Sequence, residues 1–399
     1  MAWTGKDTNF AFALASSATA WGTAATIGAG AGIKMNKVPL DWGIPEVKAE
    51  ETTDAAWASI LDQGNVKPIE MSIEVNPRYC SSTSIDPVSQ LLMAVCYNAT
   101  TVATPAGGTN SRLHTGTIAS SHAFADDNSR FGTPAFRLKT GTGYAYVEAE
   151  SYLPTGFEWT SDASDSSVKL AIKGIADRIL TDATTPAATN TGTPWGNMTY
   201  LDDSRLVHQK HIGATGCWFA KSAAEGGSPV TFGTGQAIKP SKLSIKFDRK
   251  KEGFHTVTAY TDAPVDNGFA TGEVSMEFPK VLDAHWTGTD NLISAAKDYE
   301  NTGVEVAYHL RVRYQFPTVI EGSLYPYIEF GLPRLALKDL KTEVTAGKVI
   351  PLSATFQVLR PNAASHLPTP FQYVGGTSGT AFDALYIAIQ NQTTTAYIA

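Results

Sequence analysis

Charge is scarce in this chain. Asp, Glu, Lys and Arg make up 17% of its 399 residues, and the formal balance is −7. That argues against broad nucleic-acid affinity, which needs clustered Lys and Arg. Cysteine is scarcer still. Cys80, Cys96 and Cys217 form no Cys-x-x-Cys pair, so neither a disulfide framework nor a zinc site is indicated, and buried thiols are expected. No apolar run approaches the ~20 residues of a membrane-spanning helix. The apolar stretch Phe10–Ala15 is too short for a signal peptide, and Asp7 offsets Lys6.

Catalytic signatures are missing as well. There is no Gly-x-Ser-x-Gly elbow and no cysteine in an activating motif. Gly28-Ala29-Gly30-Ala31-Gly32 lacks the strand–turn–helix setting of a dinucleotide loop. His208 and His211 flank Lys210, whose charge would repel a cation. Glu70 and Glu74, at i and i+4 on a strand, would lie about 13 Å apart, too far for paired-carboxylate chemistry. No enzyme, no cofactor and no metal is expected.

What the chain does have is Gly, Thr, Ser and Ala in abundance, with β-branched and aromatic residues in short runs between Gly, Pro, Asn and Asp. That profile is mainly β with a few helices. Two of those runs are near copies, 203 positions apart: Glu70-Met71-Ser72-Ile73-Glu74-Val75 and Glu273-Val274-Ser275-Met276-Glu277-Phe278. A strand sends alternate side chains to opposite faces. Each run should therefore bury Met71, Ile73 and Val75, or Val274, Met276 and Phe278, and present Glu, Ser and Glu to water.

Further matches follow in the same order. Asp86-Pro87 opens a stretch with Leu91, Leu92, Val95 and Cys96 at helical spacing, and Asp290 opens another containing Leu292 and Ile293. Tyr146-Val147-Glu148 precedes Leu153-Pro154, as Tyr327-Ile328-Glu329 precedes Leu332-Pro333. The strand Val168–Ile172 then matches the strand Ile350–Phe356. These matches imply a duplication, with residues 1–196 as the first module and 197–399 as the second. The Thr-, Gly- and Ser-rich stretch near 100–122 reads as a loop inserted in the first module. The strand Ala384–Ile389 reads as an addition without a first-module counterpart, completing its own sheet or reaching a neighbouring subunit. Lys246, Arg249, Lys250 and Lys251, between the strands Leu243–Phe247 and Phe254–Tyr260, read as a basic hairpin tip, either a solvated turn or a contact with the next ring of an assembly.

The opening Ala20-Trp21-Gly22-Thr23-Ala24, the run Leu91-Leu92-Met93-Ala94 and the closing strand Ile350–Pro361 resemble the tail tube proteins of tailed bacteriophages. The resemblance implies β-sandwich or half-barrel modules, each with a flanking α-helix, joining between subunits into a continuous β-barrel around a channel. Rings of such modules stack into a tube that conducts DNA into the host. Most members have one module per chain and close as hexamers. Two modules per chain imply three chains in a pseudo-sixfold ring, or six chains if the duplication does not hold.

Under that resemblance Glu70, Ser72, Glu74, Glu273, Ser275 and Glu277 line the lumen, their like charge repelling phosphate so that DNA passes without specific binding. Lys246, Arg249, Lys250 and Lys251 meet the next ring. Tape measure, tail terminator, baseplate and sheath proteins are the implied partners. The implied location is the virion tail, after synthesis in the host cytoplasm and without a membrane. The competing expectation is a secreted or surface β-sandwich adhesin that binds carbohydrate through Trp57, Trp159, Trp195 and Trp286.

Overall fold

The computed structural model describes residues 9–14, 21–38, 47–50, 60–63, 68–79, 83–96, 101–118, 131–140, 143–165, 167–181, 195–200, 205–214, 216–221, 237–254, 262–281, 292–293, 307–361 and 383–397. The protein is mainly β. In the first half the strands are β1 Asn9–Leu14, β2 Gly32–Ile33, β3 Met35–Lys37, β4 Val47–Glu50, β5 Ile60–Gln63, β6 Ile69–Val75, β7 Arg78–Tyr79, β8 Thr101–Ala103, β9 Arg112–Ile118, β10 Gly132–Thr140, β11 Gly143–Ala149, β12 Tyr152–Asp162, β13 Lys169–Ala176 and β14 Ile179–Thr181. In the second half they are β15 Arg205–Leu206, β16 Cys217–Lys221, β17 Lys242–Asp248, β18 Lys251–Glu252, β19 Val265–Asp266, β20 Thr271–Phe278, β21 Ala307–Gln315, β22 Tyr327–Thr342, β23 Leu352–Val358 and β24 Leu385–Asn391.

One connectivity occurs twice. In the first half β3, β6, β13 and β12 lie side by side in that order. In the second half β17, β20, β23 and β22 do the same. In each set the four strands stand in the spatial order first, second, fourth, third along the chain. The register is shared too: Leu170 faces Val75 as Leu352 faces Phe278, and Lys37 faces Glu74 as Lys242 faces Glu277. The two sets join edge to edge where β12 pairs antiparallel with β17 from Gly156↔Asp248 to Asp162↔Lys242. The result is one sheet of eight strands.

A second sheet in each half repeats as well. β1–β10–β11–β14 in the first half matches β16–β21–β22–β24 in the second. The 16-residue β22 serves both sheets of its half, whereas the equivalent path in the first half is interrupted at Glu150-Ser151 into β11 and β12.

This pairing corrects three expectations. The strand near the C-terminus has a counterpart: β24 stands against β22 as the shorter β14 stands against β11, and it pairs within its own chain. The stretch near 100–122 is not a plain loop. It forms β8 and β9, and β9 pairs with β24 along its length, so a first-half insertion extends a second-half sheet. Finally, Leu153-Pro154 and Leu332-Pro333 are not equivalent. β12 bulges against β13 between Pro154 and Gly156, and β22 bulges against β23 between Leu337 and Asp339, and aligning those two bulges shifts the match by four residues.

The alternating apolar residues explain the packing. Met71, Ile73, Val75, Val274, Met276 and Phe278 are all buried, with Phe157, Trp159, Leu170, Ile172, Leu243, Ile245 and Phe356 on the same face. The second-half covering sheet packs there through rings. Trp159 meets Phe330 at 4.8 Å and Tyr314 at 5.2 Å, and Phe219 meets Phe356 at 5.3 Å. A single apolar cluster runs through both halves, from Phe10 to Tyr397, so the two halves share one core.

The helix α1, Pro87–Met93, forms where expected. Asp86 caps it, accepting from the Val88 and Ser89 amides at 3.1 and 3.2 Å, and Pro87 fills the first turn, where no amide is needed. Leu91, Leu92, Val95 and Cys96 are buried. Of the second expected helix only Leu292 and Ile293 are described; both are helical and buried. Asp290 lies outside the described residues. Cys96 and Cys217 are buried thiols outside any disulfide, and Cys80 lies outside the described residues.

Candidate functional site: the polar face of the eight-stranded sheet

The face opposite the core is continuous across both halves. Glu70, Ser72 and Glu74 on β6 and Glu273, Ser275 and Glu277 on β20 all lie on it, half-buried or exposed. Each alternates with a buried apolar neighbour, so the six candidate residues share one surface. Along β17 the pattern is the chemical complement. Lys242, Ser244 and Lys246 stand directly opposite Glu277, Ser275 and Glu273.

The face is therefore not a pair of acidic ribbons. Lys242 Nζ lies 3.0 Å from Glu277, Lys246 Nζ lies 3.1 Å from Glu158, and Lys338, in the β22 bulge, lies 2.6 Å from Glu273. Lys173 stands across from Ser72, between Glu70 and Glu74. The hydrogen bond from Lys242 to Glu277 raises the pKa of that ammonium. These pairs are solvent-accessible, so each adds at most about 1 kcal/mol. Their larger effect is on the field. A carboxylate and an ammonium in contact form a dipole, and salt screens what remains beyond about 8 Å.

Sequence reasoning found the carboxylates and missed the lysines. The signal was present: Lys242-Leu243-Ser244-Ile245-Lys246-Phe247 alternates as regularly as the two acidic strands. That β17 pairs with β20 is a long-range fact the pattern alone does not specify.

The basic run is broken up by the fold. Lys246 belongs to the polar face. Arg249 is 1% exposed. Lys250 adopts φ of 54° and pairs with Asp248 at 3.0 Å. Lys251 is enclosed and pairs with Asp266 at 2.8 Å. The expected basic tip is thus reduced to Lys250, because the neighbouring cations turn inward to carboxylates or packing. The expected strand from Phe254 to Tyr260 lies almost wholly outside the described residues.

A second concave surface, about 750 Å³, is lined by Arg205, His208, Lys210, His211, Trp218, Arg313 and Phe316 among others. His211 Nδ1 accepts the His208 amide hydrogen at 3.2 Å. Burial, with His208 and Lys210 nearby, lowers the His211 pKa to about 4, so that ring is neutral at physiological pH. Arg313 is held by Glu329, which also binds Arg311 at 2.8 Å. Among the described residues no cluster of three or more His, Cys, Asp or Glu side chains is placed to hold a metal.

Two of the four tryptophans of the adhesin expectation offer no open aromatic surface. Trp159 and Trp195 are buried, and Trp57 and Trp286 lie outside the described residues. No protein-family model matches this chain, and no curated protein matches its sequence.

Proposed function

We propose that this chain is the structural subunit of a phage tail tube, stacking in rings around a channel through which DNA passes without specific binding. One observation carries the reading. The eight-stranded sheet sets two four-stranded units of the same strand order side by side, joined through β12 and β17, and the same join made between molecules would extend it. At one end, β22 beyond Leu337 pairs only with β23 among the described residues. At the other end, β6 pairs with β13 over its whole length but with β3 only at Val75 and Glu74. Unpaired edges invite strand addition, and closure into a barrel removes them.

A heterologous contact repeated about an axis closes a ring. Three chains then supply six four-stranded units and a pseudo-sixfold ring, with the polar face turned to the lumen and the covering sheets outside. Terminator, tape measure, baseplate and sheath proteins are the partners such a tube implies.

The ion pairs change the expected electrostatics of the lumen. Glu70, Ser72, Glu74, Glu273, Ser275 and Glu277 remain the proposed lining, but interleaved with lysines. Sliding DNA would meet a wall of contact dipoles with little net field. Neither attraction nor repulsion of phosphate then dominates, and that suits a passive conduit. Negative-stain microscopy of purified protein tests the reading. Rings or tubes with a narrow hollow centre are expected, with three chains per ring by native mass spectrometry. A chain that stays monomeric at high concentration overturns it.

A further inference from the structure

Three exposed apolar side chains stand out from the polar ends of the eight-stranded sheet: Phe269 is 94% exposed, Val344 77% and Val349 67%. Single exposed hydrophobics are ordinary on protein surfaces. The placement of these is not. Phe269 lies two residues before β20 begins, at the end where Gly272 stands beside Val358. Val344 and Val349 lie in the loop between β22 and β23, at the opposite end, where the Val281 amide donates to Ile350 O at 2.8 Å. β20 separates them by roughly 25 Å at strand rise.

Both positions are held outward. Gly268, with φ of 113°, turns the chain immediately before Phe269, and the Asn267 amide is fixed to Lys250 O at 2.7 Å. Gly347, with φ of 75°, turns the upper loop, which closes through Lys348 N to Thr345 O at 3.1 Å. L side chains rarely adopt these conformations, so each turn is built to project its neighbours.

We propose that successive rings are held by an apolar axial contact, in which Phe269 of one copy packs against Val344 and Val349 of the copy above. The proposal rests on the tube reading and names the chemistry of its stacking. The occupant follows from the geometry. Two different apolar surfaces at opposite ends of one sheet make a heterologous contact along the ladder, and such a contact propagates instead of closing. Burial of these groups supplies an attraction that salt does not screen.

The contact also selects a stacking register. In the first half the matching loop, between β12 and β13, is exposed but polar and bonded to itself: the Ser164 amide and hydroxyl both donate to Asp162, and Asp165 pairs with Lys169 at 2.8 Å. The valines occur once per chain. Rings of three chains would therefore stack with threefold register, second half over second half, although their strands follow a pseudo-sixfold pattern.

Purified chains carrying F269D, or V344S with V349S, test this. Phe269 touches little of its own chain, so rings and thermal stability should survive while tubes are lost. In the tubes of an otherwise unchanged chain, F269C together with V344C should give a disulfide ladder under oxidation, and neither single variant should. Tubes of ordinary length from F269D, or efficient dimerisation of F269C alone, overturn the axial contact. Wild-type chains that never form rings overturn the tube reading and this contact with it, so the two failures are distinguishable.

Discussion

Ser161 and Tyr314 share a hydrogen bond of 2.8 Å between their hydroxyls, both fully buried, although they belong to different halves of the chain. Ser161 lies on β12 at the seam with β17, and Tyr314 lies on β21 in the second-half covering sheet. The bond locks that sheet over the seam. Tyr314→Phe strands the serine hydroxyl in an apolar setting and should cost about 1–3 kcal/mol. Ser161→Ala should cost a similar amount through the stranded tyrosine. The double variant should cost less than the sum, since neither orphan is then left. Urea denaturation of all four proteins measures the coupling, and additive losses would show that the seam does not depend on this pair.

Gly156 tests the seam itself. A Cβ there would come within 2.4 Å of Phe247 O and 3.1 Å of Asp248 Cα, both backbone atoms of the partner strand, which cannot rotate away. Gly156→Ala should therefore pry β12 from β17. Overpacking of this kind costs about 1–3 kcal/mol, and backbone rigidity places this site at the upper end. Hydrogen exchange should report it locally, with faster exchange of Lys242–Asp248 amides than of β13 amides. Uniform loss across both halves would mean that the two units unfold as one.

These two sites mark the limit of what the sequence discloses. Period-two alternation identified β6 and β20 and their buried residues, because one buried face makes the pattern strict. Asp86-Pro87 identified the capped helix for a local chemical reason. Edge-to-edge joining of β12 and β17 depends on tertiary pairing between strands some eighty residues apart, which periodicity does not encode. β9 was missed because Arg112-Leu113-His114-Thr115-Gly116-Thr117-Ile118 buries His114 and Gly116 where large apolar residues would be expected. The cation run looked uniform in the sequence because Arg249 and Lys251 turn inward only once the fold provides their surroundings.

Two carboxylates should shape the pH dependence of stability in opposite directions. Burial raises the Asp177 pKa to about 7 while it accepts hydrogen bonds from the Ser151 and Arg178 amides. Its folded pKa lies above the unfolded value, so the native state binds the extra proton and stability falls as pH rises from about 4 to about 7. Asp177→Asn keeps an acceptor for those amides and should flatten that slope, raising the melting temperature at neutral pH. Glu321 behaves conversely. It accepts from the Thr109 hydroxyl and the Thr109, Asn110 and Ser111 amides, which lower its pKa to about 2. Its contribution is present above the unfolded value near 4.5 and is lost as pH falls toward 2. Glu321→Gln should remove that acid limb and, with it, the stability the carboxylate contributes at neutral pH, giving a lower melting temperature there that no longer falls between about pH 4.5 and 2. Melting curves across pH 2–8 would separate the two, and an Asp177→Asn protein with an unaltered neutral slope would exclude that carboxyl as its source.

The mixed charge of the polar face makes the sharpest functional prediction. Glu74 faces Lys37 and Glu277 faces Lys242 across adjacent strands. Changing both glutamates to lysine places ammonium opposite ammonium, which should cost about 1 kcal/mol or less per exposed site. Folding should survive, but the face would carry uncompensated positive charge. In the proposed tubes, labelled duplex DNA should then bind at about 50 mM salt and be released near 200 mM, the signature of phosphate contacts with counterion release. Wild-type tubes should bind at neither concentration. A charge swap, Lys242→Glu with Glu277→Lys, keeps the face neutral and should behave like wild type. If the swapped tubes retain DNA as strongly as the reversed ones, local neutrality is not what keeps this face from holding DNA, and the position of each charge matters instead.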